Sequence, residues 1–358
     1  MIKYIFHKTS YALLTIFGVV SVIFILFNIL PGDPAQMMLG QNQSEEQIKI
    51  VKKKYGFDKP LSTQYLYYLN DLSPISLHSK NSKDYTFLKK NKYQAFPLFS
   101  IGNNQLVLKT PYLRESFQRK GKTVSSIIKE TLPNTMILAV SAIIIALIIG
   151  LFLGIISALN QDKFLDKTIQ IFSTLGMSIP SFFTAIIFAW LFGYVLHKYT
   201  NLEMTGSLFA LDDYGEKYSL RLKNLILPAL VMGIRPVAVV TQLMRNSLLE
   251  VLQQDYIRTA KAKGLSNFQV IYKHALKNSL NPVITAVSGW FASMLAGAVF
   301  VEYIFGWNGL GKEIVEALNT LDLPVIMGAV LIIAIMFILI NIFVDIIYTK
   351  LDPKVNKI

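Results

Sequence analysis

The residues whose spacing most invites chemistry are Gly306–Glu313, GWNGLGKE, which satisfy the phosphate-cradling pattern G-x-x-x-x-G-K. Such a loop holds phosphate on backbone N–H groups and a lysine, and a following Ser or Thr binds magnesium. Glu313 stands where that hydroxyl belongs, and its carboxylate repels phosphate. The preceding run is a membrane-type apolar segment rather than a sheet strand. Trp307 therefore fits a turn at headgroup level, and no nucleotide site is expected here. The four histidines, His7, His78, His197 and His274, lack metal-ligand spacing. No H-E-x-x-H, G-x-S-x-G or paired intramembrane aspartate occurs, which leaves a hydrolase without a catalytic set. With 0 cysteines there is no disulfide, thiolate metal site or cysteine nucleophile. The expectation is a chain with no catalytic residue, no metal and no cofactor of its own.

One charge stands out for its place. Arg235 lies inside an apolar run, where a guanidinium is expensive and marks a functional site unless it snorkels to the outer interface. Small residues form two stripes, Gly150 with Gly154 and Gly289 with Ser293 and Gly297. Each stripe suits either close helix packing or a face along a pathway.

The elements that must position these residues are membrane spans. The chain has 358 residues, 53% hydrophobic and only 16% charged, against about 25% charged in soluble domains. Its formal charge of +13 comes from basic residues set between apolar runs, which fits membrane topology better than nucleic acid. Spanning length is reached at about 10–30, 133–159, 168–196, 225–245, 280–301 and 324–348. The fourth run is the weakest, interrupted by Arg235–Pro236. The first is too long for a signal-peptide core and ends in LPGDPA, so it reads as a retained span. Lysine and arginine crowd the loop after the fourth run (Arg245, Arg258, Lys261, Lys263, Lys273, Lys277) and the tail (Lys350, Lys354, Lys357). By the positive-inside rule both termini and that loop are cytoplasmic.

The domain division follows: residues 1–30 a first helix, 31–132 an outer segment, 133–348 a five-helix core holding the 246–279 cytoplasmic loop, and 349–358 a tail. In the outer segment, SEEQ (Ser44–Gln47) has the capping-box form and Gly56 suits the stop of its helix. Pro60–Leu72 reads as an amphipathic helix, residues 78–93 as a polar loop, and 95–113 as a hairpin around Gly102–Asn103–Asn104. This small α+β insertion is either a cap or a docking surface for an external protein.

The cytoplasmic stretch Asp255–Asn278, DYIRTAKAKGLSNFQVIYKHALKN, is basic and breaks at one glycine. Its first helix ends where Gly264 suits a left-handed turn. SNFQ (Ser266–Gln269) is a second capping box, and SLLE (Ser247–Glu250) has the same form upstream. A helical period places Phe268, Ile271, Tyr272 and Ala275 on one face. Such a knob needs a groove on a partner, or lies on anionic headgroups.

These residues are recognisable. DYIRTAKAKGLSNFQVIYKHALKNSLNPVI closely resembles the cytoplasmic EAA-loop signature of bacterial ABC-importer permeases, in the dipeptide/oligopeptide (peptide/nickel) branch. Tyr256, Arg258, Thr259, Ala260, Ala262, Lys263, Gly264, Leu265, His274, Ala275 and Leu276 stand at matching positions. Arg258 replaces the glutamate of the generic signature, as it does across this branch, and Lys273 replaces the usual Arg. LPGDPA, YGFDKPLSTQYLYYL, SIPSFF, ILPAL, VEYIFGWNGLG and NIFVDIIYTKLDP resemble the same branch in order. The outer segment near 74–111 departs from it by being longer.

The resemblance implies an all-α polytopic membrane protein with six transmembrane helices of the type I importer class, in the bacterial inner membrane. It implies half of a translocation pathway for di- or oligopeptides. The other half would be a second homologous permease. Two cytoplasmic ATPases would bind ATP and Mg, and an external binding protein would deliver peptide. Tyr256, Arg258, Thr259, Ala260, Lys263, Gly264, Leu265, Ser266, Phe268, Ile271 and His274 would form the ATPase-coupling loop. A nickel or metal-chelate importer permease of the same family is the nearest alternative. A stand-alone secondary transporter would need more spans, repeats and coupling carboxylates.

Overall fold

A computed structural model describes residues 2–29, 33–39, 44–82, 84–89, 92–211 and 218–351. Part of the LPGDPA motif and tail residues 352–358 lie outside the described residues. The chain divides into two compact units, Met1–Glu130 with Glu316–Ile332 and Thr131–Val315 with Ile333–Ile358.

In the first unit, α1 (Ile2–Ile29) is a long apolar helix, followed by α2 (Pro34–Leu39), α3 (Glu45–Tyr55) and α4 (Leu61–Leu72). The Ser44 capping box forms in both directions, and Gly56 ends α3 at φ 73°. Phe24 of α1 packs on Tyr65 and Tyr68 of α4, with ring centroids 5.1 and 5.8 Å apart. Three antiparallel strands follow in the order β1-β3-β2: β1 (Ile75–Ser79), β2 (Ala95–Ile101) and β3 (Asn104–Lys109). The β2–β3 hairpin turns at Gly102–Asn103, as its sequence signals.

The stretch 78–93 is not merely a polar loop. His78 and Tyr93 are buried, and Tyr93 and Tyr85 donate their hydroxyls to the buried Asp71 at 2.9 and 3.1 Å. Arg114 adds its Nε to the same carboxylate at 3.1 Å. Lys92 lies 4.6, 4.7 and 4.9 Å from the ring centroids of Tyr85, Tyr93 and Tyr112. A buried carboxylate is tolerated because each oxygen has a donor. Composition alone hides this, because polar side chains here point at one another.

The second unit holds the helical bundle. α5 (Val124–Leu159) begins above the expected start of its span. The next expected span, 168–196, is not one straight helix. α6 (Phe164–Ser178) and α7 (Ser181–Trp190), extended by a π-helical turn (Leu191–Val195), meet at 106°. The cause is Pro180: it disfavours helical geometry in the residue before it, and Ile179 takes φ −80°, ψ 130°. A short α8 (His197–Thr200) leads to a small hairpin, β4 (Phe209–Leu211) with β5 (Tyr218–Leu220). α9 (Lys223–Leu252) runs unbroken through Pro228, Pro236 and Ser247. The expected interruption at Arg235–Pro236 and the capping box at Ser247 therefore do not form. Met244 and Leu248 are buried on either side of Ser247, and packing overrides the local stop signal.

After the 253–280 loop, which supplies α10 to α12 (below), come α13 (Asn281–Phe305), α14 (Leu310–Asn319) and α15 (Leu323–Leu351). Among the described residues five helices are long and apolar enough to cross a membrane, or six where the bent α6–α7 pair counts as one broken span.

Candidate functional site

The loop between α9 and α13 folds as its residues direct. α10 (Asp255–Ala262) ends at Gly264, whose φ of +79° is the left-handed geometry that only glycine adopts without strain. Ser266 then starts α11 (Asn267–Gln269): its Oγ accepts from Gln269 N at 3.4 Å and its N donates to Gln269 Oε1 at 3.1 Å. A π-helical stretch (Val270–Ala275) and α12 (Leu276–Ser279) complete the second arm.

The inner face of this knob is apolar and locked to α9 and α13. Ile257, Ala260, Val270 and Ala275 are buried in one cluster with Met244, Leu248 and Val283, and Leu265 packs beside them. Asn278 Nδ2 donates to the Tyr256 hydroxyl at 2.8 Å, tying the two arms together across Gly264. Thr259 turns its hydroxyl back to the Asp255 carbonyl at 3.0 Å. Arg258, Lys261 and Lys263 are exposed, while Ile271 and His274 are half-buried.

The expected single face of Phe268, Ile271, Tyr272 and Ala275 is split. Val270 and Ala275, five residues apart, both point inward, because the π-helical turn is wider than 3.6 residues. Phe268 and Tyr272 point outward, 75% and 66% exposed, with rings stacked at 5.9 Å. An exposed, stacked aromatic pair on the outward face of the knob has the features of a protein-binding anchor.

At the root of the knob lies a clamp that sequence reasoning missed. Asp166, on the first turn of α6, accepts Arg245 Nε at 2.7 Å and Nη2 at 2.6 Å from the inner end of α9. Ser157 of α5 donates its hydroxyl to the same carboxylate, and Asp162 N donates at 2.9 Å. The only sequence signal was two charges at the edges of apolar runs, 79 positions apart.

The phosphate-loop motif is closed from inside. At the start of α14, Leu310 N donates to Thr135 Oγ1 at 2.8 Å, and Gly311 N and Lys312 N donate to Glu302 Oε2 at 2.7 and 3.2 Å. The N–H groups a phosphate would use are already taken. A Cβ on Gly309 would lie 2.3 Å from the Glu302 carboxylate, so the glycine makes room for that side chain. Trp307 is fully buried in the protein, and its Nε1 donates to the Asn134 carbonyl at 3.1 Å.

The small-residue stripes separate. Cβ atoms on Gly150 and Gly154 would approach Val240 and Met244 to 2.7 and 2.6 Å, so that stripe packs α5 on α9. Gly289, Ser293 and Gly297 are exposed on α13, with nothing within 4 Å of a Cβ built on either glycine. Arg235 is also exposed, and it makes no hydrogen bond or ion pair among the described residues.

Comparison with known proteins agrees with this architecture. Residues 150–357 match the family model "Binding-protein-dependent transport system inner membrane component", and residues 1–81 match the model of its N-terminal part. The dipeptide transport system permease protein DppB of Alkalihalophilus pseudofirmus is 33% identical over 99% of this chain and 100% of its own length. The Bacillus subtilis dipeptide transport system permease protein DppB is 32% identical, over 99% and 98%. A di/tripeptide transport system permease protein DppB of Pseudomonas aeruginosa is also 32% identical, over 99% of each chain. Among solved structures, the MetNI methionine ABC transporter in inward facing conformations aligns with TM-score 0.50 at 15% identity, covering 64% of this chain and 97% of that one. With a two-armed loop carried on a bundle of long apolar helices, both family models matched in order and relatives aligned end to end, the chain belongs to the inner membrane components of binding-protein-dependent transport systems, the permease subunits of ABC importers.

Proposed function

We propose that this chain forms half of the membrane path of an ATP-driven importer of di- or oligopeptides, and that the loop around Gly264 receives the mechanical stroke. The observation that carries the coupling role is the two-sided knob. Its inner face is sealed into the α9–α13 base by Ile257, Val270 and Ala275, while Phe268 and Tyr272 stand exposed on its outward face. A force on the outer pair reaches the spans without loss in a flexible linker. The Asp166–Arg245 clamp carries it on to α5 and α6.

In this reading two cytoplasmic ATPases seat the knobs of this chain and of a second, homologous permease. ATP binding draws the ATPases together and rocks the spans toward an outward-open state, and hydrolysis resets them. ATP and Mg are held by the ATPases. An external binding protein delivers the peptide to the outer side, and both termini lie in the cytoplasm of a bacterial cell. The relatives named for dipeptide and di/tripeptide transport support peptide over nickel chelate as cargo.

The test is to purify the chain from its host with its co-assembling subunits and reconstitute them in liposomes. ATP-dependent uptake of short peptides is then compared with uptake of a nickel chelate. Peptide uptake with two ATPases and a second permease in the complex is the expected result. Uptake of nickel alone would replace the peptide reading, and transport without ATPases would replace the importer reading.

A further inference from the structure

Arg235 occupies a position the fold leaves unexplained. It is residue 13 of the 30-residue α9, about 18 Å along the helix from Lys223 and about 26 Å from Leu252 at 1.5 Å per residue. A bilayer core is about 30 Å thick, so this guanidinium lies near mid-depth, far from either polar surface. Its own chain does not neutralise it among the described residues. Glu250, on the same side of the helix, is about 22 Å further down the axis. Hydrocarbon is a poor cover for an unpaired arginine, so this face of α9 borders water or another chain.

The rest of the face has the same character. Above Arg235 its positions are closed: Pro228, Val231 and Met232 are buried. Below Arg235 the face closes again at Ala238, which is buried, and then opens by steps, the helical period aligning Arg235 with Gln242 and Asn246. Asn246 is exposed and Gln242 half-buried. A charge and two amides thus run about 16 Å down one side of a spanning helix. These are the groups that bind a peptide by its constant parts. A path that accepts many peptides cannot depend on their side chains. Every unmodified peptide, though, carries a terminal carboxylate and backbone amides. The planar guanidinium fork fits a carboxylate in two parallel hydrogen bonds, and carboxamides satisfy peptide N–H and C=O groups.

We infer that Arg235 is a substrate-binding residue of the translocation path: it takes the terminal carboxylate of a peptide in transit, with Gln242 and Asn246 below it bonding the peptide backbone. This rests on the peptide reading above.

The experiment is a cycle between protein and ligand in the reconstituted complex. Uptake of trialanine and of trialanine amide is measured with wild type, Arg235→Gln and Arg235→Lys. The ratio of the two rates is compared between proteins, so that the binding protein's own preference divides out. Arg235→Gln is expected to lower the acid-to-amide ratio on the order of tenfold, the worth of a charge-assisted hydrogen bond. Arg235→Lys keeps the charge but loses the fork, and is expected to fall between. If Arg235→Gln does not assemble with the second permease, Arg235→Lys alone decides, by a lowered or an unchanged ratio. An unchanged ratio overturns the inference. If that comes with loss of co-purifying permease, Arg235 pairs with an acidic group of that subunit instead. Failure of the wild-type complex to carry either peptide removes the peptide reading itself, and this inference with it.

Discussion

Arg245 lays Nε and Nη2 on the two carboxylate oxygens of Asp166, at 2.7 and 2.6 Å, and so fastens the inner end of α9 to the first turn of α6. A bidentate pair fixes orientation as well as distance. Breaking it from one side leaves a desolvated charge. Arg245→Met is expected to cost about 3 kcal/mol, and the double variant with Asp166→Asn to regain most of it. Thermal unfolding of the detergent-solubilised complex measures both. Equal losses in the single and the double variant would count against the clamp.

Gly264 tests the turn separately from the packing. A Cβ there meets nothing within 4 Å, so its cost is confined to the backbone at φ +79°. Gly264→Val is expected to strain the turn by about 1 kcal/mol or more, and Gly264→Asn by less. Peptide-stimulated ATP hydrolysis by the complex is expected to fall in the same order. Full stimulation in the valine variant would argue that the turn is not used.

The exposed pair Phe268 and Tyr272 makes the opposite forecast for stability. Replacing both by Ala removes side chains that cover no core, so unfolding is expected to shift by about 0.5 kcal/mol or less. Co-purification of the ATPases is expected to drop sharply, since aromatic anchors dominate binding energy. Unchanged recovery of ATPases would move the grip elsewhere on the knob.

The lobe around the buried Asp71 carries a pH signature. Burial pushes the Lys109 ammonium down to about 8 from its ordinary 10.5, and burial also lowers Lys92. The unfolded chain keeps those protons to higher pH than the folded lobe. Stability is therefore gained as pH rises from 8 toward 10, and is lost as pH falls through 8. The gain from Lys109 is on the order of 1 to 3 kcal/mol. Burial raises the hydroxyls of Tyr85, Tyr93 and Tyr112, which reverses the slope above pH 10. Hydrogen exchange of β3 amides, corrected for intrinsic rate, reads this in the whole protein. Lys109→Met is expected to flatten much of the rise between pH 8 and 10.

What the sequence determined by itself was whatever a local rule controls. Apolar length set the spans, a capping pair set the starts at Ser44 and Ser266, and glycine set the left-handed stops at Gly56 and Gly264. The substitution of Glu313 at the end of the phosphate-loop pattern was legible for the same reason, since it concerns neighbouring positions. Local rules misled where packing outweighed them. Leu248 and Met244 hold α9 helical through Ser247, and a π-helical turn divides Phe268 from Ala275. Only the tertiary structure brought Arg245 to Asp166, Glu302 to Gly311, and three tyrosines to Lys92. It also separated Gly150, pressed against Val240, from Gly289, where a built Cβ would meet open space. Pairings across such sequence distances depend on how whole helices pack, and no short window of residues contains that information.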